Sequence, residues 1–540
     1  MRCFASGPVC LLSLLLASGS LPSARANVYA TNLRLNGATT NLAYLTTTNV
    51  SISYLLNEPA SAGVTISIKS NTAVVRTINL TGGAAGTLRG TNTATWNGKD
   101  NNSNNVTAGT FSVSVTAATG GFGDWTQISD DATEGNYAAY TPTGIAVNRN
   151  TNSPYYGRVY IANADTNSFV SGVSAGVVKC NADGSPPAEG LFNAGGWPWA
   201  GNGNSPWKVE VAADDFVYVS DWSSNGVVLR FDQTISSVSR VVALRNDNWP
   251  NGGLAKLSGP AIIGSGTNTQ IWMADTNVAP GGVGIRRYNV TATGAVATND
   301  LGTTIITTGG SSQLTHSPFD VAVDRSNRVY VIQNETTSGN TNYRTFRFPP
   351  FTNSPPTNAD WHVGASDDNF RGAAGIAVDA SATYVAVALQ GVGSGFGRTG
   401  GGVKVLSAAN GATVATLTPD VYHDHNDASW DNVGNLYVCD NFDQVWRAYS
   451  PPGANTNTTF ALATVQIIGL TAPTLTAPGY ACGQFQFTLN GQSNVTYILL
   501  SSTNLANWNP VTTNSSAAAT RLITVSAPAP YNFYRALISQ

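Results

Sequence analysis

Residues 217–221 read Val217-Tyr218-Val219-Ser220-Asp221, and close variants recur along the chain. They are Val159-Tyr160-Ile161-Ala162-Asn163, Ile271-Trp272-Met273-Ala274-Asp275, Val329-Tyr330-Val331-Ile332-Gln333, Tyr384-Val385-Ala386-Val387 and Leu436-Tyr437-Val438-Cys439-Asp440. Short runs of β-branched and aromatic residues bounded by Gly, Asn and Asp form strands. The aromatics fall at 160, 218, 272, 330, 384 and 437, at intervals of 58, 54, 58, 54 and 53 residues. A fixed period of this size marks a supersecondary unit that buries its faces only by stacking on its neighbours. Most copies follow an apolar strand such as Gly144-Ile145-Ala146-Val147 or Val321-Ala322-Val323-Asp324, and most lead into a third strand opened by glycine, such as Gly226-Val227-Val228-Leu229. With an outer fourth strand each unit makes one blade of a β-propeller. Residues 121–468 hold six such units, and 121–140 together with about 460–468 remain to close the ring. A seventh blade would have to hide near 291–310.

Composition agrees with an all-β chain. Of 540 residues 42% are hydrophobic and only 11% charged, against roughly 25% in typical soluble domains. There are 55 Gly and 25 Pro, which punctuate strands with turns. The 27 Lys and Arg balance 30 Asp and Glu, so the basic footprint that nucleic acid or an anionic membrane requires is missing. Residues 1–26 carry Arg2, an apolar run through Leu11, Leu12 and Leu14–Leu16, and the small-residue site Ala24-Arg25-Ala26, the pattern of a secretory signal peptide. Its loss would leave 25 basic against 30 acidic residues, a net charge of −5. No later stretch approaches the roughly 18 apolar residues of a membrane span. An exported chain at the cell surface or in the medium is expected. Cys180, Cys439 and Cys482 are odd in number and far apart, so each is expected to be a small buried residue rather than part of a disulfide framework.

The flanks read as two further β-domains. In 27–120, Val64-Thr65-Ile66-Ser67-Ile68 and Phe111-Ser112-Val113-Ser114-Val115 alternate as half-buried strands, and Trp96-Asn97-Gly98-Lys99-Asp100-Asn101-Asn102-Ser103-Asn104-Asn105 supplies an aromatic anchor and a tight turn. The turn and the following Ala108-Gly109-Thr110-Phe111 resemble the Ig-like domain of the flagellar hook-capping protein, which implies a β-sandwich acting as spacer or contact module. Ser103 stands where that family most often has a turn glycine. Residues 469–478 form a Thr/Pro/Ala linker, and 479–540 a small C-terminal β-domain. Its Ser502-Thr503-Asn504-Leu505-Ala506-Asn507-Trp508 turn and Phe533-Tyr534-Arg535 ending resemble a C-terminal module of secreted bacterial proteins. Pro318-Phe319-Asp320-Val321-Ala322-Val323-Asp324 and the Val-Tyr-Val strands resemble the NHL-repeat and regucalcin/gluconolactonase-type six-bladed propellers.

Three groups of residues carry candidate chemistry. The slot closing each second strand holds Asn163, Asp221, Asp275, Gln333, Val387 and Asp440. Asp221, Asp275 and Asp440 could offer hard oxygen ligands to calcium or zinc, or could simply hydrogen-bond the turn that follows them. In Tyr422-His423-Asp424-His425-Asn426-Asp427, an extended backbone points His423 and His425 the same way, as a metal-chelating pair would need. Trp197, Trp199, Trp207 and Trp222 could stack on sugar rings or plug the spaces between blades. No nucleophile elbow is present, and the glycine-rich run 391–397 lacks the Lys-Thr of a phosphate loop. Two functions stay open. One is a binding protein for extracellular polysaccharide or a surface protein. The other, implied by the lactonase resemblance, is a metal-dependent lactonase or esterase. A quinoprotein-like sugar dehydrogenase has only the fold behind it.

Overall fold

The inner strands Pro142–Val147, Val209–Val211, Leu257–Ile263, Pro318–Val323, Ala373–Val378 and His425–Trp430 touch one another in turn around a closed ring, the last against the first. This computed structural model describes residues 27–539 apart from 39–41, 46–48, 202–204, 224, 249–256, 276–282, 310–312, 334–343, 365–369, 371, 391–400, 419–422, 470, 494, 516–517 and 527–531. The expected signal peptide at 1–26 and the glycine-rich run 391–397 lie outside the described residues. Each inner strand begins an antiparallel four-stranded sheet, and six such sheets form the ring. The molecule is a six-bladed propeller flanked by an Ig-like sandwich and a C-terminal β-domain. The stretch once open to a seventh blade supplies Thr303–Thr307, the outer strand of blade three.

Pattern and packing explain the blades. Second strands are buried on both faces because each blade is covered by two neighbours, so they read as unbroken apolar runs rather than alternating ones. Tyr160, Tyr218, Trp272, Tyr330 and Tyr437 are each no more than 1% exposed. Register corrects the fifth copy. Tyr218 pairs with Glu210, Tyr330 with Ala322 and Tyr437 with Ser429, but in blade five it is Ala386 that occupies this place, opposite Ala377. The slot residue is therefore Leu389 and not Val387. Tyr384 lies two residues earlier and packs on Trp125 and Trp430.

Closure of the ring differs from expectation in one half. The outer strand of blade six is Thr126–Gln127, paired with Tyr449 and Ser450, so the segment before the first blade does close the ring. The segment after the last blade does not. Strand Gly453–Ile468 leaves the propeller and runs antiparallel to Gly109–Phe122 in the five-stranded sheet of the Ig-like sandwich. Thr464–Ile467 alternate toward that sandwich's core, where Val465 and Ile467 join Trp96, Phe111 and Val113. The propeller is thus inserted into the sandwich between two of its strands. At the crossing, a Cβ on Gly121 would stand 1.9 Å from the Gly453 carbonyl oxygen, and its φ of +78° is one that glycine adopts freely.

The sandwich docks on the end of the ring where the inner strands finish. Thr31 Oγ donates to the Tyr156 carbonyl, Asn435 Nδ2 to the Asn27 carbonyl (2.9 Å), and Tyr29 and Tyr437 hydroxyls meet at 3.3 Å. Tyr29, Leu55, Tyr156 and Ala182 seal this contact over blades one and six. In the sandwich turn, Asp100 Oδ1 accepts from the backbone of Asn102 (2.9 Å) and Asn104 (2.8 Å), and Ser103 takes φ +67°. Serine thus adopts the glycine conformation itself because Asp100 holds the backbone on both sides of it. The C-terminal domain pairs two three-stranded sheets over Phe487, Leu489, Tyr497 and Ile523, and its first strand is Thr474–Ala481, so the domain takes in the second half of the expected 469–478 linker. Cys180 and Cys439 are buried as expected, but Cys482 is exposed, because it sits with φ +53° in a hairpin turn rather than in a strand.

Candidate functional site

The channel through the ring is governed by one register level. At that level the six inner strands carry Gly144, Lys208, Gly259, Asp320, Gly375 and Asp427, so glycine and a charged residue alternate around the axis. The alternation is steric. Cβ atoms would meet Lys208 Cα at 2.7 Å from Gly144, Asp320 Oδ1 at 1.6 Å from Gly259 and Asp427 Cα at 2.6 Å from Gly375. Three blades give up their side chains so that three others can fill the axis.

Lys208 lies 3.0 Å from Asp427 Oδ1 and 3.9 Å from Asp320 Oδ2, all three side chains being at most 7% exposed. Its ammonium also donates to the carbonyls of Ala374 (2.9 Å) and Asn426, so its three protons are all engaged. Asp427 Oδ2 accepts the Ile145 amide at 3.0 Å and Asp320 Oδ2 the Ile376 amide at 2.9 Å, which ties the acids to blades one and five. Burial opposes charge on Lys208, but Asp427 and Asp320 outweigh it and hold the ammonium above its ordinary range. Burial pushes the Asp320 carboxyl up to about 7, against the pull of Lys208, and raises Asp427 as well. This knot plugs the channel. Sequence reading missed it because the three residues lie more than a hundred positions apart and no local motif marks Lys208.

Beyond the plug, at the end where the inner strands finish, the channel opens into a cavity of about 360 Å³. Blades three to five line it with Ala261, Ile263, Ala322, Val323, Ala377 and Val378, and the opposite side carries Arg149, Thr151, Glu210 and Asn432. Glu210 stands one step along from the plug, where four of the other blades have alanine and blade six has Ser429. Burial pushes its carboxyl up to about 8, with Arg149 pulling the other way and Asp427 and Asp320 adding to the rise. Arg149 Nε donates to the Trp430 carbonyl at 2.7 Å. Among the described residues its two terminal amino groups have no hydrogen-bond or ion-pair partner. The rim loops bearing Thr151 and Asn432 are also those on which the Ig-like sandwich sits.

The residues singled out from sequence lie at the other end of the ring. Asp221, Asp275 and Asp440 close second strands on blades two, three and six, and among the described residues they form no common cluster of possible metal ligands. Asp221 is buried and holds its own loop, accepting from Trp197 Nε1 (2.8 Å), Ser205 Oγ (2.7 Å) and the Ser223 amide (3.0 Å). Asp440 does meet the histidines. His423 Nδ1 lies 2.7 Å from Asp440 Oδ2 and 3.0 Å from Asp443 Oδ2, three ligand atoms close enough to share an ion, and His425 Nε2 lies 3.9 Å from Asp440 Oδ2. A cation already stands there. Arg447 reaches Asp440 at 2.7 Å, Asp443 at 2.6 Å and Asp131 at 2.9 Å, and Asp440 Oδ1 accepts backbone amides. Burial pushes the His425 imidazole down to about 4, and it is neutral. The donor set suits zinc or calcium, but the Arg447 guanidinium already holds oxygens of both carboxylates.

The tryptophans are mostly engaged in packing. Trp207 is 4% exposed and meets Trp222 (4.5 Å between rings) and Phe319 in an edge-to-face cluster. Trp197 and Trp199 lie half-buried against the core between blades one and two, and Trp199 Nε1 donates to the Ala194 carbonyl at 2.8 Å. No helix among the described residues is long and apolar enough to cross a membrane.

Comparison with known proteins bears on the architecture. Residues 39–121 match the family model of the FlgD Ig-like domain. No curated protein matches the chain. Among solved structures, a glucose dehydrogenase is 12% identical, covering 60% of this chain and 98% of its own, with a TM-score of 0.36. The soluble aldose sugar dehydrogenase of Escherichia coli in its apo form is also 12% identical, covering 61% and 99%, with a TM-score of 0.37. At these scores the likeness carries no inference about activity. The family match covers the Ig-like domain alone, and the β-propeller architecture rests on the six four-stranded sheets of the ring itself.

Proposed function

We propose that the protein is an exported binding protein whose propeller holds a unit of extracellular polysaccharide in the cavity at the sandwich-bearing end of its channel. The observation that supports this is the cavity's division into an apolar half on blades three to five and a polar half around Glu210 and Arg149. A pyranose has the same two-sided character, with C–H faces and hydroxyl edges, and its size suits a pocket near the lower end of the roughly 300–1,000 Å³ range of small-ligand sites. The plug below is saturated with internal bonds, so it serves as a floor and offers no free base. The metal-dependent hydrolase reading ranks behind, because Arg447 already occupies oxygens of its candidate ligands Asp440 and Asp443. A surface protein as ligand would call for a broad face of about 800 Å² rather than a pit.

Affinity electrophoresis of the full chain through gels containing acidic or neutral bacterial polysaccharides tests the reading. Retardation is expected, and Ala213→Trp, at an exposed lining position, should abolish it by closing the mouth. Migration unchanged in every polysaccharide would overturn it.

A further inference from the structure

Building on that reading, we infer that the sugar unit is carboxylated, as in a uronic acid, with its carboxylate taken by Arg149 and an adjacent oxygen accepting a hydrogen bond from Glu210. Two observations converge. First, Arg149 is oriented by its Nε bond to the Trp430 carbonyl, so the two terminal amino groups form a fixed fork at the cavity wall. A planar fork matches a carboxylate with two parallel bonds, which a neutral sugar hydroxyl cannot reproduce. Second, the one acid in the cavity wall is not paired with that arginine, since no ion pair within 4 Å joins them among the described residues. The groups facing Glu210 are Arg149 from blade one, Lys208 beside it on the same strand, and Asp320 and Asp427 from blades four and six. Lys208 is committed to those two acids, so the Glu210 carboxyl stays protonated at neutral pH and Arg149 leaves the cavity with one net positive charge. A monocarboxylate balances that charge, and the neutral Glu210 can donate to it without repelling it.

The inference has a pH signature. As pH rises through about 8, Glu210 ionises beside the ligand carboxylate and binding weakens. Titration calorimetry of the full chain at pH 6 and pH 9 would use a galacturonate oligomer, a glucose oligomer of equal length and a short peptide with a free C-terminal carboxylate. The expected result is preference for the galacturonate, roughly tenfold weaker at pH 9 than at pH 6. Arg149→Gln should remove that preference, and Glu210→Gln should keep binding while flattening the pH dependence. Equal binding of the glucose oligomer, unaffected by Arg149→Gln, would overturn the carboxylate assignment and leave polysaccharide binding standing. Preference for the peptide would overturn the sugar class. Loss of the pH dependence in the unmodified chain would overturn the role given to Glu210.

Discussion

Replacing Lys208 by Met removes the one cation that holds two buried carboxylates together at the channel axis. The side chains are similar in length, so packing changes little and the electrostatic consequence dominates. Asp427 and Asp320 lie 3.0 and 3.9 Å from the ammonium and are 7% and 5% exposed. Removing one partner of a buried ion cluster typically costs about 3–5 kcal/mol, because the charge left behind is neither solvated nor paired. The loss should depend on pH. Both acids already have carboxyls raised by burial, and without Lys208 they rise further. A group whose folded pKa is raised contributes stability that is present below its unfolded value near 4 and is lost as pH rises through the folded value. The variant should therefore be close to the parent at pH 5 and well below it at pH 8. Adding Asp320→Asn and Asp427→Asn should restore most of the difference, since an amide oxygen can still accept the Ile376 and Ile145 amides. Urea midpoints followed by tryptophan fluorescence of the full chain measure this. A loss below about 1 kcal/mol at pH 8, or an equal loss at both pH values, would refute the reasoning.

Further predictions concern the seams. Glu58, on the sandwich face that docks against blade six, is fully buried, and burial and Asp431 push its carboxyl up to about 8, so stability should fall as pH rises from 4.5 to 8. Glu58→Gln should recover up to about 3 kcal/mol at pH 7, at about 1.4 kcal/mol per unit, and flatten the pH dependence of the melting temperature. A variant no more stable than its parent at pH 8 would contradict this. Gly144→Ala forces a methyl to within 2.7 Å of Lys208 Cα and should cost about 1–3 kcal/mol as overpacking, visible as a lower melting temperature. Arg447→Met strips the counter-charge from Asp131, Asp440 and Asp443 beside His423. Zinc should then raise that variant's melting temperature by more than it raises the parent's, and an equal rise in both would show that Arg447 does not compete for the site.

Periodicity made the ring legible because burial on both faces of every blade forces the same apolar run about every 55 residues. It misplaced Tyr384 by two positions because an aromatic near the right spacing masked the fact that blade five puts Ala386 where the other blades have their aromatic. The role of Gly453–Ile468 was hidden for a different reason. A strand's alternation shows that one face is buried but not which sheet it joins, and this one pairs with residues about 340 positions earlier. The polar residues were legible only by local pattern. Asp221 and Asp440 recur in register, which is what turn anchoring requires, and the structure uses Asp221 in that way. Glu210 breaks a ring of alanines and a serine, and Lys208, Asp320 and Asp427 break a ring of glycines. Neither departure can be seen until the six inner strands are laid side by side.

The claim that the cavity at the sandwich-bearing end is the binding site is tested most directly by hydrogen–deuterium exchange of the full chain with and without a galacturonate oligomer. The account predicts slowed exchange at 149–151, 210–213 and 432, which line the cavity. Slowed exchange confined to the opposite end, around Trp197, Trp222 and Phe319, would contradict it.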